Sequence, residues 1–177
     1  AAQADVIVAA LGESSEMSGE SSSRTEIGIP AIQQRLLSEL LKTGKPVVLV
    51  LFAGRPMTLT WENEHVPAIL NAWFGGSETG AAVAEVLFGD VNPSGKLTAT
   101  FPRNVGQLPI YYAHKNTGRP LAEGGSFQKF RSNYIDVINS PLFPFGYGLS
   151  YTTFDYSDLK LDKSSIKAGQ SIQASVT

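Results

Sequence analysis

Three apolar runs set the rhythm of the first half of the chain: residues 5–11 (D-V-I-V-A-A-L), 47–52 (V-V-L-V-L-F) and 68–74 (A-I-L-N-A-W-F). Runs that stay apolar instead of alternating predict strands buried on both faces, as parallel sheets contain. Between them the period lengthens. Pro30 suits the first position of a helix, Ile32, Leu36, Leu37, Leu40 and Leu41 recur at helical spacing, and Gly44 can close it. Residues 58–65 can form a short helix. After a break at Gly75-Gly76 a third helix is expected, with Ser77 as N-cap, Glu78 in its first turn and residues 81–88 running to Gly89. The order βαβαβα predicts an α/β fold, a mostly parallel sheet with helices on both faces and right-handed crossovers.

Beyond Asp90 the texture changes. Asn92-Pro93-Ser94-Gly95 reads as a turn and residues 96–101 as a short strand. Residues 111–134 form a long polar stretch with interleaved aromatics, expected at a surface or interface, and residues 141–151 (P-L-F-P-F-G-Y-G-L-S-Y) are dense in aromatics, Gly and Pro. From Phe154 an alternating pattern returns: Phe154, Tyr156, Leu159 and Leu161, then Ile166, Ile172, Ala174 and Val176, read as the first strands of a separate all-β domain. The expected organisation is an α/β domain over residues 1–153 and the truncated start of a β domain over residues 154–177. The abrupt entry into a strand and the end inside an alternating pattern are those of a piece cut from a longer protein.

The remaining feature of the first half is the polar loop before the first helix, G-E-S-S-E-M-S-G-E-S-S-S-R-T-E-I-G-I-P, with four carboxylates, Glu13, Glu16, Glu20 and Glu26. It is far longer than the usual connection of about 2–6 residues, and it leaves the carboxyl end of a strand, where α/β folds keep their sites. A solvated acidic loop is the bland alternative.

Composition narrows the classes. The hydrophobic fraction of 42% is enough for a core, and 14 Lys and Arg against 16 Asp and Glu, scattered along the chain, give no footprint for nucleic acid or an anionic membrane. No apolar run reaches the ~20 residues of a membrane span. Without cysteine there is no disulfide framework and no Cys-based metal site; His65 and His114 lack metal-ligand spacing and read as surface or turn residues. No cofactor or metal is expected.

Among chemical motifs, Gly75-Gly76-Ser77-Glu78-Thr79-Gly80 resembles a nucleophile elbow centred on Ser77, but Thr79 stands where G-x-S-x-G needs glycine. Neither a G-x-G-x-x-G fingerprint nor a P-loop lysine is present, so tight strand-to-helix packing explains these glycines better. The Glu-rich loop fits glycoside cleavage, which needs two carboxyl groups, one of them protonated at the moment of bond breaking. A second carboxylate on a strand end is not evident, which points to a nucleophile on another domain.

Seven collinear blocks then become specific: A-L-G-E-x(6)-E-S-S-S-R-T, G-K-P-V-V-L-V-L-F-A-G-R-P, A-W-F-G-G-S-E-T-G, L-F-G-D-V-N-P-S-G-K-L, F-P-R-N-V-G-Q-L-P-I-Y-Y, H-K-N-T-G-R-P and L-F-P-F-G-Y-G-L-S-Y. Together they resemble the C-terminal α/β sandwich domain of glycoside hydrolase family 3, in particular that of bacterial periplasmic β-glucosidases, over about residues 5–153. The tail from Phe154 resembles the opening of the fibronectin type III-like domain that follows in many such enzymes. The resemblance implies a retaining β-glucosidase acting on a β-glucoside and exported to the periplasm or beyond. It also implies a nucleophilic aspartate on an N-terminal (β/α)8 barrel absent from this chain, and an acid/base glutamate on a sandwich-domain loop that reaches over the barrel mouth. The matching position is Glu20, ahead of Ser21-Ser22-Ser23-Arg24, with Glu13 the runner-up and Glu16 third. Arg24 can pair with a loop carboxylate or form a plain surface ion pair. Trp73 and the Tyr111-Tyr112 pair read first as core and interface aromatics and second as a border to the sugar site. The competing class is a non-catalytic α/β module that binds carbohydrate or packs on a partner domain.

Overall fold

A computed structural model of the chain describes all residues except Ala2, Thr117 and Glu123. Ala2 belongs to the expected lead-in and Thr117 and Glu123 to the irregular stretch 111–134, so those parts of the expectation lie outside the described residues. The regular elements are β1 (Ile7–Gly12), α1 (Ala31–Leu41), β2 (Val47–Phe52), α2 (Thr60–His65), β3 (Ala68–Asn71), α3 (Thr79–Phe88), β4 (Lys160–Leu161) and β5 (Ala174–Ser175).

The first three strands form one parallel sheet in the order β1-β2-β3, with Ile7 opposite Val47 and Val48 opposite Ala68. β2 is the central strand and is buried on both faces: Leu49 and Leu51 are wholly inaccessible on one side and Val50 nearly so on the other. The expectation of two buried faces fails for residues 5–11. β1 lies at an edge of this sheet; Val8 on it and Val6 just before it are about half exposed, Ala9 is its one fully buried aliphatic residue, and Ile7 and Leu11 pack partly buried against the core.

α1 presents a narrower apolar stripe than its sequence suggests. Leu37 is wholly buried and Leu40 and Leu41 pack against the core, but Ile32 and Leu36 face solvent. The stripe through Gln33 and Leu37 points to the sheet, and positions four apart at 32 and 36 fall on the neighbouring face. Pro30 stands just outside the helix and not at its first position; its carbonyl accepts from the Gln33 and Gln34 N–H groups. α3 likewise starts at Thr79, whose hydroxyl donates to the Gly76 carbonyl at 2.7 Å, and Ser77 makes no cap. The chain leaves the sheet after Ala72, whose N–H still donates to the Leu51 carbonyl at 2.9 Å, because Trp73 takes a left-handed φ of 51° that no strand continues through.

The core is completed from the second half of the chain. Residues 96–101 form no strand; they are held by isolated pairing, Leu97 N–H to the Tyr147 carbonyl at 2.8 Å and Phe101 N–H to the Phe143 carbonyl at 2.8 Å. Phe101, 1% exposed, sits between Trp73 and Phe143 at ring separations of 5.7 and 6.1 Å. Gln107 is buried and fastens the irregular region, accepting from the Arg103 N–H at 2.6 Å and donating to the Ile138 carbonyl at 2.9 Å. Around it the aromatics lie outside, with Tyr111, Tyr112, Phe127, Phe130 and Phe145 all at least half exposed. The expected alternating tail yields only the antiparallel β4–β5 pair, and every residue from 151 onward is exposed.

Glu62 on α2 is a buried carboxyl outside the loop, 2% exposed, with Gln34 Nε2 donating to it at 3.2 Å. Burial pushes its pKa up, against smaller lowering contributions from hydrogen bonds and His65. A carboxyl whose folded pKa is raised destabilises the fold progressively as pH rises from its unfolded value through the raised one. Glu62→Gln is therefore expected to melt at a higher temperature than the parent chain at pH 7, with the difference closing below about pH 4. Melting curves across that range check it; a constant difference at all pH values contradicts it.

Candidate active-site loop

The loop between β1 and α1 begins at a peptide that only glycine permits. Gly12 has a φ of 137°, and a Cβ there would collide with the Phe52 carbonyl oxygen. The Gln33 side chain clasps the same residue from α1: its Oε1 accepts from the Gly12 N–H at 2.7 Å and its Nε2 donates to the Gly12 carbonyl at 3.0 Å. The Glu13 N–H then donates to the Phe52 carbonyl at 2.8 Å, carrying the pairing one residue past the strand. With the backbone fixed in this way, the Glu13 side chain is fully buried.

Its carboxylate is the centre of a charged cluster. Arg24 Nη1 donates to Oε1 at 2.7 Å, Arg55 Nε lies 2.9 Å from the same oxygen, and the Gly54 N–H donates to Oε2 at 3.1 Å. Arg55 also reaches into the loop, where its Nη2 donates to the Met17 carbonyl at 2.8 Å. Burial alone would push the Glu13 carboxyl up, but hydrogen bonds from Arg24 and Gly54, with the Arg55 guanidinium charge close by, outweigh it and hold the group below the ordinary glutamate value. Arg24 therefore pairs with a loop carboxylate, and the ion pair is buried at the carboxylate end.

Glu20 stands in the opposite situation. The Ser22 N–H donates to the Gly19 carbonyl at 3.3 Å, closing a tight turn with exposed Glu20 second and Ser21, at φ 57°, third. A serine in the left-handed region costs roughly 1 kcal/mol, strain of the kind that collects at functional loops. Glu16 and Glu26 are also exposed. Four carboxylates that look equivalent in sequence thus divide into one buried and three solvated.

The carboxyl ends of all three strands meet here. A Cβ on Gly54 would come within 2.7 Å of the Ser18 hydroxyl and 2.8 Å of the Phe74 ring, so the loop, the turn after β2 and the turn after β3 are in contact. Beside the loop's second stem lies an open hollow of about 720 Å³ lined by Ser23, Arg24, Arg55, Tyr111, Tyr112 and Phe145. Trp73 is half-buried against Phe101, a core contact, whereas Tyr111 and Tyr112 are exposed and belong to this hollow. Ser77 is exposed, and His65 stacks on Trp61 with its Nδ1 2.7 Å from the Trp61 carbonyl. Among the described residues no group of three or more His, Asp or Glu could hold a metal ion, and no helix is long and apolar enough to cross a membrane.

Residues 1–151 match the glycosyl hydrolase family 3 C-terminal domain. The chain belongs to this family. Within glycosyl hydrolase family 3 it is 54% identical over 176 residues to the periplasmic β-glucosidase of Salmonella typhimurium, covering 99% of this chain and 23% of that protein. It is 44% identical to a β-xylosidase of Formosa agariphila, again over 99% of this chain and 23% of the relative. Among solved structures, the β-glucosidase of Listeria innocua in complex with isofagomine superposes with a TM-score of 0.83 at 43% identity, covering 89% of this chain and 22% of that one. A β-glucosidase from Erythrobacter marinus gives a TM-score of 0.84 at 41% identity, covering 99% and 23%. The family 3 chain thus spans a little under a quarter of the length of these relatives.

Two members of the site escaped sequence reasoning. Arg55 stands in the sequence only as a letter of the block G-K-P-V-V-L-V-L-F-A-G-R-P, and Gln33 lies unremarked between the apolar positions of the first helix. A cation in the turn just past a buried central strand, beside a glutamate directly after the neighbouring strand, is the signal that could have found Arg55. Gln33 carried no such signal, since any polar residue suits that helical position until the loop's path is known.

Proposed function

We propose that this chain, within its full-length parent, supplies the general acid/base of a retaining β-glucosidase, with Glu20 as that group and a nucleophilic aspartate on a (β/α)8 barrel outside these residues. What carries the reading is the division of the loop carboxylates: Glu13 is committed as an ionised partner of two arginines, while Glu20 stands free on the turn of the same pinned loop. An acid/base must exchange its proton during each cycle, which Glu20 can do and a carboxylate locked between guanidinium groups cannot. The aspartate attacks the anomeric carbon as Glu20 protonates the departing oxygen; Glu20 then deprotonates water, which releases the sugar from the glycosyl-enzyme with net retention. A loop of the sandwich domain reaching over the barrel mouth brings the two carboxyl groups to the separation of about 5–5.5 Å that retention needs. The name of the Salmonella relative supports a periplasmic location for the parent.

We read residues 154–177 as the opening of a fibronectin type III-like domain, supported by the antiparallel β4–β5 pair and by Phe154, Tyr156 and Leu159 at 70–79% exposure, which a further sheet would cover.

The reading is tested in the parent enzyme by assaying Glu20→Ala on glucosides with graded leaving groups. Loss should deepen steadily as the leaving group becomes more basic, and equal loss on all substrates contradicts the assignment. The 177-residue chain alone is expected to release no product from an aryl β-glucoside, because an acid/base without its nucleophile cannot form the covalent intermediate.

A further inference from the structure

We propose that Arg55, which sits outside the loop in the turn after β2, is a positioning residue for the acid/base: it fixes the loop that carries Glu20 by holding Glu13 and the Met17 carbonyl at the same time. The inference rests on the reading of Glu20 given above.

The loop is a closed ring whose fastenings are few. Glu13 and Arg24, eleven positions apart, form its neck through the 2.7 Å ion pair. Within the ring, backbone hydrogen bonds are local: Met17 N–H to the Ser14 carbonyl and Ser22 N–H to the Gly19 carbonyl. Neither ties the turn at Gly19–Ser22 to the body of the domain. Arg55 instead ties down the limb that leads into that turn, because one guanidinium places Nε at 2.9 Å from the Glu13 carboxylate in the neck and Nη2 at 2.8 Å from the Met17 carbonyl, three residues before Glu20. A planar guanidinium can donate to a carbonyl while keeping its charge against a carboxylate in a fixed relative orientation, and an ammonium, a compact point charge on a flexible stem, cannot. Arg55 is itself well placed to be rigid. It lies three residues past the end of the central strand, its side chain is 22% exposed, and the preceding Gly54 N–H donates to the other oxygen of Glu13. The loop's neck and its first limb are thereby referenced to β2, the most deeply buried strand of the sheet. The barrel that receives Glu20 would meet a loop already set, which is the condition for a reacting group placed to within about half an ångström.

A positioning role differs from a stabilising one in what it does to the two chemical steps. A loosened Glu20 is a poor acid for basic leaving groups and a poor base toward water, but the carboxyl group is still present. In the full-length parent, Arg55→Lys is expected to lower kcat on an alkyl glucoside about tenfold and Arg55→Ala up to about a hundredfold. Losses on a dinitrophenyl glucoside should be smaller and partly restored by azide, and the basic limb of the kcat/KM profile should be retained in both variants. Arg55→Lys keeps a cation beside Glu13, so it serves where Arg55→Ala folds poorly. Equal loss on both substrates with no azide acceleration, or wild-type rates in Arg55→Lys, overturns the proposal while leaving Glu20 in place. If Glu20→Ala itself shows no azide acceleration, the acid/base reading fails first and the positioning role falls with it.

Discussion

Glu20→Ala in the full-length parent is expected to lower kcat on a glucoside with an alkyl leaving group by about 10²–10⁴-fold, the usual contribution of a positioned acid. A dinitrophenolate departs without a proton, so on that substrate glycosylation survives and the glycosyl-enzyme accumulates for want of a base. Azide, which attacks without base assistance, should restore turnover and leave a β-glucosyl azide as product. The basic limb of the pH profile of kcat/KM, which reports the acid in the free enzyme, should disappear with Glu20. Stopped-flow detection of the burst and identification of the azide adduct check the two steps separately. If Glu13→Gln loses the basic limb and gains the burst while Glu20→Ala keeps the parent profile, the acid lies seven positions earlier in the chain.

Glu13→Gln is expected to act on stability. Removing one partner of a buried charge cluster costs roughly 3–5 kcal/mol; because Arg24 and Arg55 keep 21% and 22% of their side chains in solvent, about 3 kcal/mol is the better figure. For a domain of this size that lowers the melting temperature by roughly 6–12 °C. The sign with pH follows from the lowered pKa of Glu13. The folded state binds this proton less tightly than the unfolded chain, so the stabilisation is present above the ordinary carboxylate pKa and is lost as pH falls through the folded value. The gap between parent and variant should therefore be widest near neutrality and narrow progressively below about pH 4. Glu16→Gln and Glu26→Gln, at exposed positions of the same loop, should each change stability by less than about 0.5 kcal/mol. A variant of Glu13 as mild as these would mean that the arginines find equivalent partners elsewhere.

Gly12 offers a further check on the loop's geometry. Gly12→Ala must displace the Phe52 carbonyl or abandon φ 137°, and either change breaks the Gln33 clasp and the Glu13 hydrogen bond to Phe52. A loss above about 2 kcal/mol by chemical denaturation is expected, beyond what a helical or loop Gly→Ala change produces.

The alternation of apolar strands with helical spacing was enough to place β2 to the residue and to establish a parallel α/β sheet, because a strand buried on both faces leaves no polar position to confuse its limits. The collinear blocks carried the family, and the position of a Glu-rich loop at a strand's carboxyl end carried the expectation of a site. Sequence could not decide which side of β1 or of α1 would be covered, since burial depends on what lies alongside: Val8 and Leu36 have core-type side chains on faces that meet solvent. Nor could it rank the loop glutamates by environment. Glu13 and Glu20 differ only in what surrounds them, and those surroundings are assembled from Gln33, Gly54 and Arg55, up to 42 positions away along the chain. An ionised carboxylate can be buried only where several donors converge on it, and that convergence is a property of the ends of β1 and β2 and the returning loop meeting in space.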